Sequence, residues 1–369
     1  MKRVFITGTG LFTPTESISN DELVAAFNAY VTMENPKRIE RGEEPLAESN
    51  AEFIVKASGI RNRYVMDKAG ILDPSRMAPS LPQRPQDEHS LQCEMSVAAA
   101  KGALAQAGLE ASDIDCVVVA CSNMQRAYPA IAVEVQAALG TSGYAYDMNV
   151  ACSSATFGIQ NATDAIRSGS ARRVLMLNPE ICSGHLDFRD RDCHFIFGDV
   201  CTAVILEGED DAGEKPSWEV LATSLHTQFS SNIRNDAGFL DRHDGSAPSD
   251  RNKLFHQQGR RVFKDVCPMV ANIIKAHLEA EKIEVTSVRR FWLHQANLSM
   301  NLLIAKRVLG REPTDDESPT VLDEYANTSS AGSIIAFHKH SEDLAQGEIG
   351  VLCSFGAGYS VGSVILRRT

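Results

Sequence analysis

The chain has 369 residues, and its 48 acidic side chains outnumber 36 basic ones, for a net charge of −12. That surplus argues against nucleic acid and anionic membrane surfaces as partners, since both need a basic face. Hydrophobic residues make up 43% and charged residues 23%, an ordinary globular composition with enough length to bury a core without metal or disulfide staples. At about 150 residues per domain, this length suits two or three domains or one large duplicated fold. The nine cysteines form no C-x-x-C pair and sit mostly in apolar runs, which predicts reduced thiols, no metal site and a cytoplasmic location. The opening MKRVFITGTGLFTP has no apolar h-region, and no stretch approaches the ~18 uninterrupted apolar residues of a membrane span.

In chain order, Lys2 to Thr7 reads as a buried strand that ends at Gly8-Thr9-Gly10. A dinucleotide loop would need a third glycine where Thr13 stands, and Pro14 follows where a helix should begin. Residues 35–50 and 67–90 lack apolar periodicity and read as surface excursions. Cys93 to Ala107 reads as a helix stopped by Gly108, and Cys116 to Cys121 as a central strand covered on both faces. A helix is expected over Ala130 to Leu139, a strand over Ala145 to Val150, a helix over Ala155 to Ile166, and a strand over Arg173 to Asn178. Phe195 to Leu206 closes this segment. Farther on come a helix over Val270 to Glu281, the strand Arg290 to Leu293, helices over Leu298 to Leu309 and Ile334 to His338, and two closing strands around Gly356-Ala357-Gly358.

The halves overlay. A helix, D-I-D and VVVACSN in the first match a helix, T-S-V and RFWLHQAN in the second, each followed by a helix ending in Leu-Gly. The endings GDVCTAVILEG and GAGYSVGSVILRR pair as well. Two long copies of an α/β unit, with alternating strands and helices, predict mostly parallel sheet under helices. The expected halves are 1–212, carrying the two excursions, and 213–369.

Cys152 stands where a strand runs into a helix, a place where backbone N–H groups and the helix dipole lower a thiol's pKa. His294 follows an apolar strand, at the edge where open α/β sheets place ligands. Asn327 lies in a Ser/Thr/Gly-rich turn before a helix. Each alone also reads as an ordinary structural residue. Together they suit acyl-thioester chemistry: a thiolate holds an acyl group, while a neutral imidazole and an amide donate hydrogen bonds to a carbonyl becoming an enolate. No carboxylate base is needed if the carbanion arises by loss of CO2. Backbone N–H groups at Cys152 and in the Gly356-Ala357-Gly358 turn are candidates for an oxyanion hole.

NVACSSATFGIQ, FIFGD, WLHQAN, YANTSSAGS and FGAGYSVGS, in this order and spacing, resemble the β-ketoacyl-ACP synthase III family of the thiolase superfamily over nearly the whole chain. The resemblance implies a five-layered αβαβα thiolase-like fold of two duplicated halves, a homodimer, and no cofactor beyond the substrates acyl-CoA and malonyl-ACP, with acyl carrier protein as partner. It makes Cys152 the nucleophile, gives His294 and Asn327 the enolate, and puts Ala357 where the family usually has the glycine of the oxyanion hole. Phe53, Tyr128, Arg191 and Phe355 become substrate-binding candidates, with Tyr128 reaching into the partner's acyl tunnel. Phe53, Ala57 and Ser299 replace residues that contact CoA in many members. Tyr128 stands where the head-to-head condensing enzymes carry a glutamate base. The excursions, ICSGHLDFRDRD and the MDK-GILDP segment look like the medium-chain β-ketodecanoyl branch, which uses octanoyl-CoA. A type III polyketide synthase would close with GFGPG rather than SFGAG, and a non-catalytic acyl-binding subunit would commonly have lost a member of the triad. Lys306 and Arg307 are candidates for docking the acidic carrier, with Arg311, Arg260, Arg261 and Lys264 beside them.

Overall fold

The structure, a computed structural model, describes residues 2–82, 84, 85, 87–213, 215, 217–236 and 253–369. Its first half supplies the strands β1 (Val4–Phe12), β4 (Cys116–Ala120), β5 (Tyr144–Met148), β6 (Arg173–Ile181) and β7 (Asp199–Gly208). The second supplies β8 (Trp218–Ser230), β11 (Val288–Leu293), β12 (Ile349–Gly356) and β13 (Gly358–Arg368). Together they run in the order β11-β12-β13-β8-β1-β7-β6-β4-β5, and the halves join where Phe5 and Ile6 meet Glu219 and Trp218. β4 pairs in parallel with β5 and β6, and β11 pairs in parallel with β12, while β7 and β13 return antiparallel. Two two-stranded ribbons complete the strands: β2 (Glu16–Ser19) with β3 (Asn62–Val65), and β9 (Ile233–Arg234) with β10 (His256–Gln257).

The two-residue period of the strands divides the helices into layers. Val117, Val119, Leu175 and Leu177 face a core shared with α4 (Leu91–Ala107) and α5 (Ile131–Leu139). Their neighbours Val118, Ala120, Val174 and Met176 point the other way, into a central core with α6 (Ser154–Ser168) and α11 (Gly332–Lys339). Trp292, Leu352 and Val364 of the second half enter that same core. Phe291, Leu293, Val351 and Cys353 instead meet α8 (Gly259–Ala280) and α9 (Leu298–Leu309). The result is helices, sheet, helices, sheet, helices, the five layers expected. The rings of Trp218, Trp292 and Phe337 lock the middle layer edge to face, with centroids 4.9 to 5.5 Å apart.

Several boundaries differ from the sequence reading. β1 does not stop at Gly8; it runs on through Gly10 because α4 lies against it. A Cβ at Gly8 would sit 2.3 Å from the Ala103 carbonyl oxygen, and one at Gly10 2.0 Å from that of Ala99. The glycines therefore permit a helix to approach rather than end a strand. Residues 35–50 are not wholly loop. A helix unforeseen in the sequence, α1 (Asn20–Glu40), begins in a capping box between Ser19 and Glu22 and contains Pro36. Its last turns are mostly exposed, so they show no apolar stripe. The returning segment is pinned along it by two asparagines: Asn28 Oδ1 accepts from Ser49 N–H at 2.9 Å, and Asn35 Oδ1 from Leu46 N–H at 2.7 Å.

Residues 67–90 contain the short α3 (Lys68–Leu72), capped by Asp67. The cluster that holds Ile71 and Met77 also takes Ile54 of α2 (Ala51–Ser58), along with Phe188, Phe195 and Phe197. α8 starts eleven residues before the predicted Val270, at Gly259. α7 (Glu209–Ala212) and α10 (Leu322–Tyr325) are single turns. None of the helices is long and apolar enough to cross a membrane, among the described residues.

Candidate active site

β5 ends at Met148, and the chain turns through Asn149 into a 3-10 turn, Ala151–Ser153, from which α6 starts. Asn149 Oδ1 accepts from Ala151 N–H at 2.8 Å, and Ala151 takes φ 47°. A non-glycine residue there is strained, and such strain is kept where the surroundings fix it. It lifts Cys152 out of the helix start. Behind the thiol, Gly356 at the end of β12 comes so close that a Cβ there would lie 2.6 Å from Cys152 Cβ. Only glycine permits that approach.

The second half brings two side chains to the same place. His294 sits just past the end of β11, its backbone N–H on the Cys353 carbonyl at 2.8 Å, and its ring packs edge-on against Phe355 with centroids 5.2 Å apart. Asn327 is held by the segment before β7: its N–H donates to Ile196 O at 3.0 Å, and its carbonyl accepts from Gly198 N–H at 3.1 Å. Its Oδ1 accepts from Ser329 N–H at 2.9 Å, which leaves Nδ2 as the arm free to donate. Ser329, at φ 49°, donates its hydroxyl to Cys152 Sγ at 3.4 Å.

Cys152, His294, Asn327 and Phe355 line one cavity of about 790 Å³, with Gly356, Phe53 and Ala57 also in its wall. His294 is 2% exposed and Asn327 7%. Burial lowers the His294 pKa to about 3 against an opposing hydrogen bond with the Ser329 backbone, so its ring is neutral at physiological pH. A neutral imidazole can still donate one N–H, and its Nδ1 has no protein partner.

Cys152 departs from expectation. Its thiol is pushed up to about 11, above the ordinary 9.0. Burial is the main cause, and the negative charge of Glu180 adds to it. The Ser329 hydroxyl and the backbone N–H groups of Ala357 and Cys152 offset only part. A three-residue turn inside the protein desolvates the thiolate more than its amides stabilise it. Those two N–H groups favour the thiolate, and the resemblance places an oxyanion hole at them. Ala357 is not among the residues at positive φ, so alanine serves there without strain.

The other candidates separate. Arg191 does not reach the cavity: its guanidinium lies over the Phe53 ring at 4.5 Å and its Nε donates to Glu48 O at 2.7 Å, so it stiffens the wall. Tyr128 is 83% exposed and does not line this cavity. Lys306 and Arg307 are exposed on the last turn of α9, Lys306 paired with Glu312. Arg260, at the start of α8, does line the cavity, with Arg234 beside it. Among the described residues one His/Cys/Glu group, His89, Cys93 and Glu134, gathers ligand atoms within 4.8 Å. It lies outside the cavity, and Ser90 and Arg126 already hold its Glu134. Ser329 and Glu180 went unnoticed in the sequence. For Ser329, overlaying N-V-A-C-S-S on N-T-S-S-A-G, which share an asparagine two residues before the strained position, was the available signal.

The fold and the site define an acyl-condensing enzyme of thiolase architecture, and comparison with known proteins agrees. Residues 146–228 match the family 3-oxoacyl-[acyl-carrier-protein (ACP)] synthase III, 278–368 its C-terminal model, and 85–185 the thiolase N-terminal domain. The chain belongs to the 3-oxoacyl-[acyl-carrier-protein] synthase III family. It is 64% identical to a beta-ketodecanoyl-[acyl-carrier-protein] synthase of Pseudomonas aeruginosa, over 93% of this chain and 99% of that one. It is 32% identical to a beta-ketoacyl-[acyl-carrier-protein] synthase III of Cereibacter sphaeroides, over 99% of each. The crystal structure of a 3-oxoacyl-(acyl carrier protein) synthase III from Pseudomonas aeruginosa superposes with a TM-score of 0.77 at 24% identity, covering 99% of this chain and 98% of that one.

Proposed function

We propose that the enzyme takes octanoyl from octanoyl-CoA onto Cys152 and condenses it with malonyl-ACP to give 3-oxodecanoyl-ACP. The observation that carries the chemistry is the shared cavity, in which a thiol, a neutral imidazole and the free amide nitrogen of Asn327 converge. The chain length rests on the 64% identity to a synthase named for a ten-carbon product. A decarboxylative two-carbon extension reaches ten carbons from an eight-carbon primer.

In acylation the Cys152 sulfur bonds to the thioester carbon, the carbon–sulfur bond to CoA breaks, and the thiol proton leaves with CoA. The N–H groups of Cys152 and Ala357 receive the tetrahedral oxyanion. Malonyl-ACP then loses CO2. His294 and Asn327 donate to the enolate oxygen, the carbanion attacks the acyl carbon, and the released thiolate takes a proton from solvent. Thiol, imidazole and amide supply every group needed, so no cofactor or metal enters.

The same reading includes a homodimer, the two halves 1–212 and 213–369, and a reducing cytoplasmic setting for nine free cysteines. β5 forms one edge of the sheet, and Tyr128 stands exposed on the loop before α5, which favours a partner copy along that edge. Phe53 and Phe355 would flank the substrate, with Arg191 acting through Phe53. The carrier would dock where Arg260 meets the cavity rim and where Arg307, exposed and without an ion pair among the described residues, stands with Lys306 on α9.

Intact mass after mixing with acyl-CoAs from acetyl to lauroyl tests this. An octanoyl adduct lost in Cys152→Ala and discharged by malonyl-ACP is expected. An adduct that persists in that variant, or none with any chain length, overturns the reading.

A further inference from the structure

Glu180, on β6, is a wholly buried carboxylate to which the mechanism above gives no part. Its Oε1 accepts from Ser122 N–H at 2.9 Å, from Ser330 N–H at 3.2 Å and from the Ser330 hydroxyl. Its Oε2 accepts from the Ser122 hydroxyl at 2.5 Å and lies 3.9 Å from Cys182 Sγ. Each serine leads to one side of the active site. The Ser122 carbonyl accepts from Asn149 Nδ2 at 2.7 Å, and Asn149 Oδ1 holds Ala151 N–H, next to Cys152. Ser330 follows Ser329, which bonds both Cys152 Sγ and Asn327 Oδ1. One carboxylate thus bridges a turn from each half of the chain.

We propose that Glu180 is a positioning residue that fixes the distance between the Cys152 turn and the Asn327 turn by holding Ser122 and Ser330 at once. The inference rests on the roles proposed for Cys152 and Asn327. The Cys182 thiol lies beside Glu180, whose charge also acts on the thiols of Cys121, Cys152 and Cys201, while Asp199 of β7 acts on Cys182 as well. Among the described residues no cation pairs with it. Its charge therefore falls on the thiols, and Cys152 feels it as an upward push.

Tether and charge can be separated. Glu180→Ala removes both. Glu180→Gln keeps the shape, since an amide oxygen can accept from Ser330 and from Ser122 N–H while the Ser122 hydroxyl turns to accept from the amide. Acylation is read by mass with octanoyl-CoA, decarboxylation by CO2 release from malonyl-ACP, and the Cys152 thiol by its iodoacetamide rate against pH. Glu180→Ala should slow both half-reactions ~10-fold or more, because small misplacements are costly in a preorganised site. Glu180→Gln should recover most of that rate while its alkylation midpoint moves down, as loss of a nearby charge requires.

Ser330→Ala, which loosens only the Asn327 turn, should slow decarboxylation more than acylation. It keeps the test open if Glu180→Ala does not fold. Glu180→Ala folded with both half-reactions within about twofold of the parent, or Glu180→Gln no faster than Glu180→Ala, overturns the proposal. Alkylation needs no catalysis, so a parent enzyme that fails to acylate refutes the functional reading without removing this readout.

Discussion

In the first half of the chain Asn149 Oδ1 accepts from Ala151 N–H, Ala151 sits at φ 47°, and a 3-10 turn feeds α6. In the second half Asn327 Oδ1 accepts from Ser329 N–H, Ser329 sits at φ 49°, and a 3-10 turn feeds α11. The next residue is Cys152 in one and Ser330 in the other. The two junctions differ in which polar arms are used up. Asn149 spends its Nδ2 on the Ser122 carbonyl, while Asn327 keeps its Nδ2 for the cavity. The Ser330 N–H is taken by Glu180, while the Cys152 N–H favours its own thiolate. On the proposed roles, one turn carries the nucleophile and its own oxyanion N–H, and the other carries an enolate donor. A hydrogen bond present in one and absent in the other marks each role.

The largest expected effect tests that division directly. Asn327→Ala should slow decarboxylation of malonyl-ACP by ~10²–10³-fold while leaving acylation by octanoyl-CoA nearly intact, as expected for loss of a preorganised donor. Its counterpart Asn149→Ala should lower the unfolding free energy by only about 0.5–1.5 kcal/mol, since it strips hydrogen bonds from two half-exposed backbone groups, and slow both half-reactions alike. Equal selectivity for decarboxylation in the two variants, measured by CO2 release and acyl-enzyme mass, would break the comparison.

A smaller effect concerns packing behind the thiol. Gly356→Ala places a methyl group against Cys152 Cβ, and acylation should fall ~10-fold with the chain still folded, because the thiol must shift from its amides. An unchanged acylation rate in stopped-time mass measurements would show that the turn can give way.

The thiol's environment sharpens the picture further. With its pKa raised to about 11, Cys152 is a thiol at neutral pH, and its iodoacetamide rate should climb from pH 8 toward 11. Ser329→Ala removes a hydrogen bond that favours the thiolate and should move the climb to higher pH. A curve that shifts down instead would remove Ser329 from the account.

The smallest effect is on stability. His185 and His277 are lowered to about 4, and His194 and His294 to about 3, all by burial. Each is neutral in the folded state and binds a proton more readily unfolded. Their contribution is whole above 6.5, is lost as pH falls through the window down to about 3, and makes stability rise with pH there. Glu180 and Asp199, raised by burial to about 7 and 6, act oppositely, losing stability as pH rises from about 4 toward those values. With His338 and His340 also lowered by burial, six histidines against two carboxyls predict a Tm that drops by several degrees between pH 7 and pH 4. A flat or rising Tm in thermal scans would contradict the burial of these rings.

What the sequence determined by itself is local or ordered along the chain. Two-residue and helical periodicity placed most strands and helices, because each element's burial follows from its own spacing of apolar residues. The motif order around Cys152, His294 and Asn327 carried the family and its five-layered fold. Tertiary structure decided what depends on neighbours from distant segments. β1 runs through its glycines because α4 presses on it, and α1 extends past residue 35 because Asn28 and Asn35 hold the returning chain. The amides at the Cys152 turn do lower its thiol as the helix-start argument has it, but burial by both halves outweighs them and the net shift is upward. Glu180 had no mark in the sequence at all. Its importance comes from two serines, in separate halves, that the fold brings onto one carboxylate.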